Sequence, residues 1–409
     1  MISIIMMVRN ISTASQKAEQ HQVHFAWNGE EDKFTLPFLV GKHGHILLKS
    51  QVNDSSGFFL FDTGASFSTL HESISGVREL QHTFTLTDAQ GLQRSKKLRV
   101  MRQFQIGNIK VNNLVFWPTD SSAWKKGGPF EGQDELIGVI GNNFLTHYVW
   151  GFNMPNQQVT LTKSIDALSE MDGMTQLPLK NMEGNWYIPV QINNITFNLL
   201  LDFGYTTSIR LQDSLSRDDN SDHGIALSYS PFSAFSHTQE KRTVPDTVQY
   251  TMAESVSLGD LEFTNVMCTE KQYNSLIGLQ FLWAFDRIIL DYPNQKMYLS
   301  INTPENEVTD LSAVTKQKMY ELHCRRQIQE KGFFEIDLNY HFSVPTQRIT
   351  HHLDTVEGKY LFYGKSRHWG RSYFNKDSVT SLDSVRLPNG KIKQAPITID
   401  LTNGYFVDP

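Results

Sequence analysis

Apolar and polar residues alternate in short runs along most of the chain, as in HILLKSQV at 45–52 and WYIPVQI at 186–192, the period of two that predicts half-buried strands. The runs are four to eight residues long, rich in Val, Ile, Leu, Phe and Thr, and separated by Gly, Asn, Asp and Pro, the residues of tight turns. Two segments break the alternation. NNFLTHYV at 142–149 and LQFLWAFD at 279–286 place apolar residues at i, i+1 and i+4, which predicts a short helix with one buried face. Each is followed by a strand pair turning at Pro-Asn-Gln. The expected fold class is all-β.

The pattern also repeats. LIGVIGNNFLTHYVWGFNMPNQQVTL at 136–161 matches LIGLQFLWAFDRIILDYPNQKMYL at 276–299, with Ile140-Gly141 on Ile277-Gly278 and Pro155-Asn156-Gln157 on Pro293-Asn294-Gln295. Ile106-Gly107-Asn108 matches Leu258-Gly259-Asp260, each reading as strand, tight turn and strand. FFLFDTGASFSTL at 58–70 matches FNLLLDFGYTTSIRL at 197–211, each behind an alternating strand. Three matched blocks in one order indicate a duplication of roughly 140 residues. The expected division is an N-terminal segment at 1–30, a first copy at 31–165, a divergent second copy at 175–303, and a linker with a strand-rich extension at 304–409. That extension reads as a truncated third copy: FFEIDL at 333–338 as entry strand, His351 to Thr355 as its Asp loop, and a hairpin at 385–399 turning at Asn389-Gly390.

Composition narrows the function. The 409 residues carry 37 basic and 43 acidic side chains and a net charge of −6, so the excess of cations that nucleic acid demands is missing. Two cysteines, Cys268 and Cys324, exclude a disulfide framework and a Cys-based zinc site while allowing one bridge or two free thiols. The apolar start Met1 to Val8 is too short to span a membrane and no other run approaches the needed length, so no integral membrane segment is expected. The chain reads as soluble, either cytoplasmic or, if that apolar stub belongs to a signal peptide, exported.

Two apolar residues followed by Asp62-Thr63-Gly64-Ala65-Ser66 resemble the active-site loop of aspartic peptidases, and the later Ile-Gly-x-x-Phe-Leu block resembles the helix that supports it. The resemblance to the retropepsin-like families covers roughly residues 35–162 and 175–301. It implies two tandem retropepsin-like barrels, each donating one aspartate, with Asp62 and Asp202 as the catalytic pair. Two carboxyls that close cannot both ionise, so one keeps a proton while the other serves as general base on a water. Gly64 allows a sharp turn where a Cβ would clash. By the same resemblance Thr63 ties one Asp loop to the other, Ser66 sits near the outer carboxylate oxygen, and Gly204 supports the second loop. The second loop, Asp202-Phe203-Gly204-Tyr205-Thr206, departs from the pattern by carrying Phe where a hydroxyl residue belongs.

Substrate would be gripped as an added strand. A flap hairpin is expected over 83–100, turning at Asp88, Ala89, Gln90 and Gly91, with 229–250 as a longer counterpart. Asp291 and Asp354 read as structural, Arg94 to Arg99 as a solvated flap face, and His351, His352 and His368 as ordinary histidines, so neither metal nor cofactor is expected. The function expected is an aspartic-type endopeptidase acting on a peptide or protein substrate, as a monomer with an internal pseudo-dimer. The alternatives are a homodimer using two Asp62 loops and a catalytically impaired peptide-binding module.

Overall fold

The computed structural model describes residues 23–301 apart from 29, 42–43, 88–92, 120–135, 170, 206–207, 213–222, 229–245 and 271–273, then 308–311, 314–315 and 318, and beyond them the backbone of seven strands between 335 and 407. Two compact units divide the chain, residues 1–311 and 312–409.

The first unit holds both copies, and they fold alike. In the first, the strands run in the spatial order Val77–Thr87, Gln93–Met101, Val115–Thr119, Thr69–His71, Leu136–Ile140, Ser55–Phe61, Ile46–Val52, Gln103–Ile106, Ile109–Asn112 and His24–Trp27. In the second, the corresponding order is His223–Ser228, Asp246–Ala253, Val266–Glu270, Ile209–Leu211, Leu276–Gly278, Ile195–Asp202, Asn185–Ile192, Val256–Leu258, Leu261–Thr264 and Thr309–Asp310. Nine of the ten places are filled by matching segments. Only the last differs: the first copy takes an antiparallel strand from before it in the chain, the second a parallel strand from after it. The arrangement is all-β, two tandem barrels built on one plan.

Within each copy the strand entering the Asp loop, Ser55–Phe61 or Ile195–Asp202, pairs in parallel with the strand that leads into the short helix. The helices themselves are single turns, Asn142–Leu145 and Leu279–Leu282, each started by a glycine. The turns read as Gly-Asn and Gly-Asp place Gly107 at φ 51° and Gly259 at φ 64°, a region where a Cβ is strained. In the Pro-Asn-Gln turns the left-handed residue is the glutamine, Gln157 at φ 51° and Gln295 at φ 55°.

A six-stranded sheet joins the copies, ordered Thr175–Pro178, Lys296–Ser300, Arg287–Asp291, Val149–Asn153, Gln158–Thr162 and Lys33–Pro37. Its central pairing sets Val149 opposite Asp291, Gly151 opposite Ile289 and Asn153 opposite Arg287. Gly151 thus faces its own sequence counterpart, and the seam is symmetric about that point. Beneath it lies an aromatic core drawn from both copies: Phe152 packs on Phe61 at 4.9 Å, on Phe203 at 5.4 Å and on Phe38 at 6.2 Å between ring centroids. Trp150 and Trp283 are fully buried, their indole N–H groups satisfied by the carbonyls of Leu145 and Gly44.

In the second unit, the seven strands between Glu335 and Val407 form an antiparallel meander in chain order. His351 to Thr355, expected as an Asp loop, lies inside the strand Thr350–Val356 instead. Alternating polarity fits either environment, and this segment lacks the glycine that breaks the strand after Asp62 and Asp202. The expected hairpin is present as Ser378–Arg386 paired with Ile392–Asp400, with its turn at Asn389-Gly390 outside the described residues, as is His368.

Phe152 ties the seam to both Asp loops, so Phe152→Ala is expected to lower stability by about 3–5 kcal/mol in chemical denaturation, the usual cost of emptying a buried aromatic site.

Candidate active site

The two Asp loops meet where the barrels join. Asp62 follows the strand Ser55–Phe61 and Asp202 ends the strand Ile195–Asp202, and the two carboxyls share a side-chain hydrogen bond. Each keeps a partly exposed face while protein surrounds the rest. Backbone amides fix both: Asp62 Oδ1 accepts from Gly64 N at 2.8 Å and Ala65 N at 3.2 Å, and Asp202 Oδ1 accepts from Gly204 N at 2.9 Å.

The glycines owe their identity to the opposite carboxyl. A Cβ on Gly64 would lie 2.5 Å from Asp202 Cγ, and one on Gly204 would lie 2.5 Å from Asp62 Cγ. Neither glycine has a positive φ, so close approach across the dyad is the constraint. Behind the loops the helix starts hold the turn. Asn142 N donates to Ala65 O at 2.8 Å and Leu279 N to Tyr205 O at 2.7 Å, while Asn142 Nδ2 donates to Thr63 O at 2.9 Å.

Thr63 carries the cross-loop bridge alone. Its hydroxyl donates to Leu201 O at 2.6 Å and accepts from Phe203 N at 3.0 Å. Phe203 has no hydroxyl to return these bonds. Its ring is fully buried instead, 5.3 Å from Phe61 in a T-shaped contact, so packing occupies the place of polar reciprocity.

Each copy also reaches over the other's loop. Ser66 Oγ donates to Asn185 Oδ1 at 3.1 Å. The residue matching Asn185 in the first copy is His45, whose Nε2 donates to Gly204 O at 3.1 Å. Arg210, in the place of Leu70, is buried at 6% exposure, donates Nε–H to Asn274 O at 3.1 Å, and sits over the Tyr205 ring with Cζ 5.1 Å from its centroid. Tyr292 is buried beside Trp186, ring centroids 5.1 Å apart, and neither its hydroxyl nor the Trp186 indole N–H has a hydrogen-bond partner among the described residues.

Sequence reasoning did not single out Asn185, His45, Arg210, Trp186 or Tyr292. The repeat alignment held a signal for the first two, which fall on each other; for the rest no motif existed. The flap positions Asp88, Ala89, Gln90 and Gly91 lie outside the described residues. Their arms, Val77–Thr87 and Gln93–Met101, form an antiparallel hairpin, with Lys96 paired to Glu72 at 2.7 Å and Lys97 to Glu79 at 3.2 Å on its face. Asp291 accepts from Asn294 N and Nδ2, a turn-closing role.

Electrostatically the pair is unequal. Burial pushes the Asp62 carboxyl well above the ordinary carboxylate range, and the neighbouring Asp202 charge pushes it further. Burial also raises Asp202, but the Gly204 amide and then the Arg210 guanidinium pull against it. Both carboxyls are thus held above the ordinary range, so the pair retains a proton where isolated carboxyls would be ionised. Burial raises the Tyr292 phenol as well. Among the described residues no group of three or more His, Cys, Asp or Glu is placed to hold a metal, and no helix is long and apolar enough to cross a membrane.

Fold and site together define an all-β protein of two tandem barrels with one aspartate from each copy at their junction. By sequence the chain matches no family and no curated protein. Among solved structures it is similar to basic 7S globulin from soybean, at 12% identity, with 68% of this chain and 99% of that chain covered and a TM-score of 0.42.

Two outcomes are expected. Thr63→Val removes the hydroxyl and leaves the Phe203 N–H and Leu201 C=O buried without a partner, which should cost about 2–4 kcal/mol in denaturant titration. Asp62→Asn should change the pH dependence of stability. A carboxyl whose folded pKa is raised stabilises the fold fully below its unfolded value, ordinarily 3.8, and loses that contribution as pH rises through the folded value. The Asn variant should therefore gain on wild type in melting temperature from pH 4 upward, by the reference carboxylate range of about 4, and not below it.

Proposed function

We propose that the chain is an aspartic-type endopeptidase that hydrolyses peptide bonds with Asp62 and Asp202. The approach of these two carboxyls, each packed against the glycine of the other's loop and held by backbone amides, carries the reading. Asp202 takes a proton from a water held between the carboxyls as the water oxygen bonds to the scissile carbonyl carbon, and Asp62 gives its proton to the carbonyl oxygen. When the intermediate collapses the C–N bond breaks, the leaving nitrogen takes the proton from Asp202, and a hydroxyl of the intermediate returns one to Asp62. The pair thus supplies both donor and acceptor, and the reaction requires no cofactor. The substrate is an extended peptide lying beneath the hairpin arms of the first copy, held by main-chain hydrogen bonds as an added strand.

Asp62 has its partner carboxyl within the same chain, which supports a single-chain dyad over a homodimer of Asp62 loops. One observation favours a second reading, a peptide-binding module without catalysis: the bridge between the loops is one-sided because Phe203 carries no hydroxyl. Against that reading stand the preserved amide bonds to both carboxyls and both glycines that admit them.

The test is cleavage of a mixed peptide library across roughly pH 3 to 7, the span over which carboxyls titrate in proteins. Wild type should cleave preferentially at acid pH, and Asp62→Asn and Asp202→Asn should each lose at least ~10²-fold in rate, the typical worth of one acid-base partner. Cleavage spared in Asp202→Asn would support the homodimer, and a wild type that binds peptides in the library but cuts none would support the binding module.

A further inference from the structure

Gly204 is engaged on every side, and one of its partners is a side chain from the opposite copy. Its N–H holds Asp202 Oδ1 at 2.9 Å, and a Cβ on it would lie 2.5 Å from Asp62 Cγ. Its carbonyl oxygen accepts from His45 Nε2 at 3.1 Å. A carbonyl can only accept, so the proton sits on Nε2, and the neutral Nε2–H tautomer and the imidazolium make this bond equally. The same peptide unit is pinned at its other end, where Tyr205 N donates to the backbone carbonyl of Asp202 at 3.3 Å.

His45 is itself placed by the second copy. The turn before it closes with Gly41 N on His45 O at 2.8 Å and Gly44 N on Gly41 O at 2.9 Å, with Gly44 at φ 84°. Trp283, at the end of the helix Leu279–Leu282, donates its indole N–H to Gly44 O at 2.9 Å, and Leu279 N at the start of that helix donates to Tyr205 O at 2.7 Å. One single-turn helix thus seats both the His45 turn and the Asp202 loop, and the imidazole, only 5% exposed, joins them. The first loop is held differently. There Asn142 Nδ2 donates to Thr63 O at 2.9 Å. Leu279 stands at the matching place in the second copy and has no side-chain donor to offer.

We propose that His45 is a positioning residue of the candidate active site: by holding the Gly204 carbonyl it fixes both the amide on Asp202 and the close approach of Gly204 to Asp62. This rests on the reading of Asp62 and Asp202 as a working pair. His45 supplies from the opposite copy the side-chain donor that Leu279 cannot. Its counterpart Asn185 meets the first loop through the Ser66 hydroxyl.

The measurement uses full-length protein carrying ¹³C-carbonyl glycine, ¹⁵N-tyrosine and ¹³C-carboxyl aspartate. Gly-Tyr occurs in the chain only at 204–205 and 404–405, so two carbonyl signals are selected, and the one from the second unit is an internal control. In His45→Ala the Gly204 carbonyl carbon should move upfield as its hydrogen bond is lost. In an Asp62→Asn background the same change should raise the Asp202 pKa by about one unit, the scale of a weakened amide bond to a charged carboxylate. In otherwise wild-type protein it should lower kcat by about 10- to 100-fold with KM little changed, the cost of a slight misplacement. His45→Gln, whose Nε2 reaches as far as the imidazole Nε2 and carries no charge, should return all three readouts most of the way. His45→Asn, whose Nδ2 reaches only as far as the imidazole Nδ1, should not, and it serves if the Ala variant fails to fold. An unmoved Gly204 carbonyl, an unchanged Asp202 titration in a folded variant, or a change in KM alone would overturn the proposal. A Gln variant as impaired as Ala would show that charge and not the bond acts, and would overturn it as well. A wild type that cleaves nothing while the Gly204 and Asp202 shifts appear would uphold the positioning role and count against the peptidase reading alone.

Discussion

Two carboxyl groups pressed together inside a protein repel whenever both are charged, and the architecture of the first unit is arranged around tolerating that contact. Every element near it either fixes a carboxyl or removes an obstacle. The amides of Gly64, Ala65 and Gly204 hold the oxygens, the two glycines omit the side-chain atoms that would collide with the opposite carboxyl, and the helix starts clamp the turns from behind. None of these devices removes the repulsion. A retained proton does, and burial of both groups is what keeps it there.

The two copies contribute unequally to this arrangement. The first loop supplies the whole polar bridge through Thr63, while the second supplies an aromatic ring, Phe203, that locks into the core beneath the joining sheet. The same division recurs at the strands that leave the loops, neutral Leu70 on one side and cationic Arg210 on the other. Divergence after duplication has thus concentrated on the second copy's loop without disturbing its aspartate or glycine.

Much of this was legible in the sequence, for identifiable reasons. Strand periodicity and the turn glycines gave the all-β class, because a buried face repeats every two residues whatever lies beyond it. The matched blocks pointed to the duplication, Asp-Thr-Gly in its context pointed to Asp62, and the repeat pointed to Asp202, whose loop the structure sets against the first. What stayed hidden were contacts that no local pattern encodes. Arg210 reads as an ordinary strand residue until its burial is known, and Tyr292 as a turn residue beside Pro293. The partner of the Ser66 hydroxyl, Asn185 from the other copy, is likewise invisible in any local pattern. Alternation in the second unit predicted strands, and strands are present, but it could not separate a loop-bearing barrel from a plain meander.

The seam between the copies has a further meaning. Its central pairing sets Gly151 against Ile289, its own counterpart, with the flanking positions exchanged end for end, so the joint is self-complementary. A surface of that kind belongs to twofold association, in which identical partners offer one another the same edge. One covalent chain here supplies both edges of a joint that separate molecules would form only as identical partners. Being fused, the partners meet at every encounter and no longer have to remain identical. Linkage replaced concentration as the source of assembly, and with it came the freedom to make the halves different.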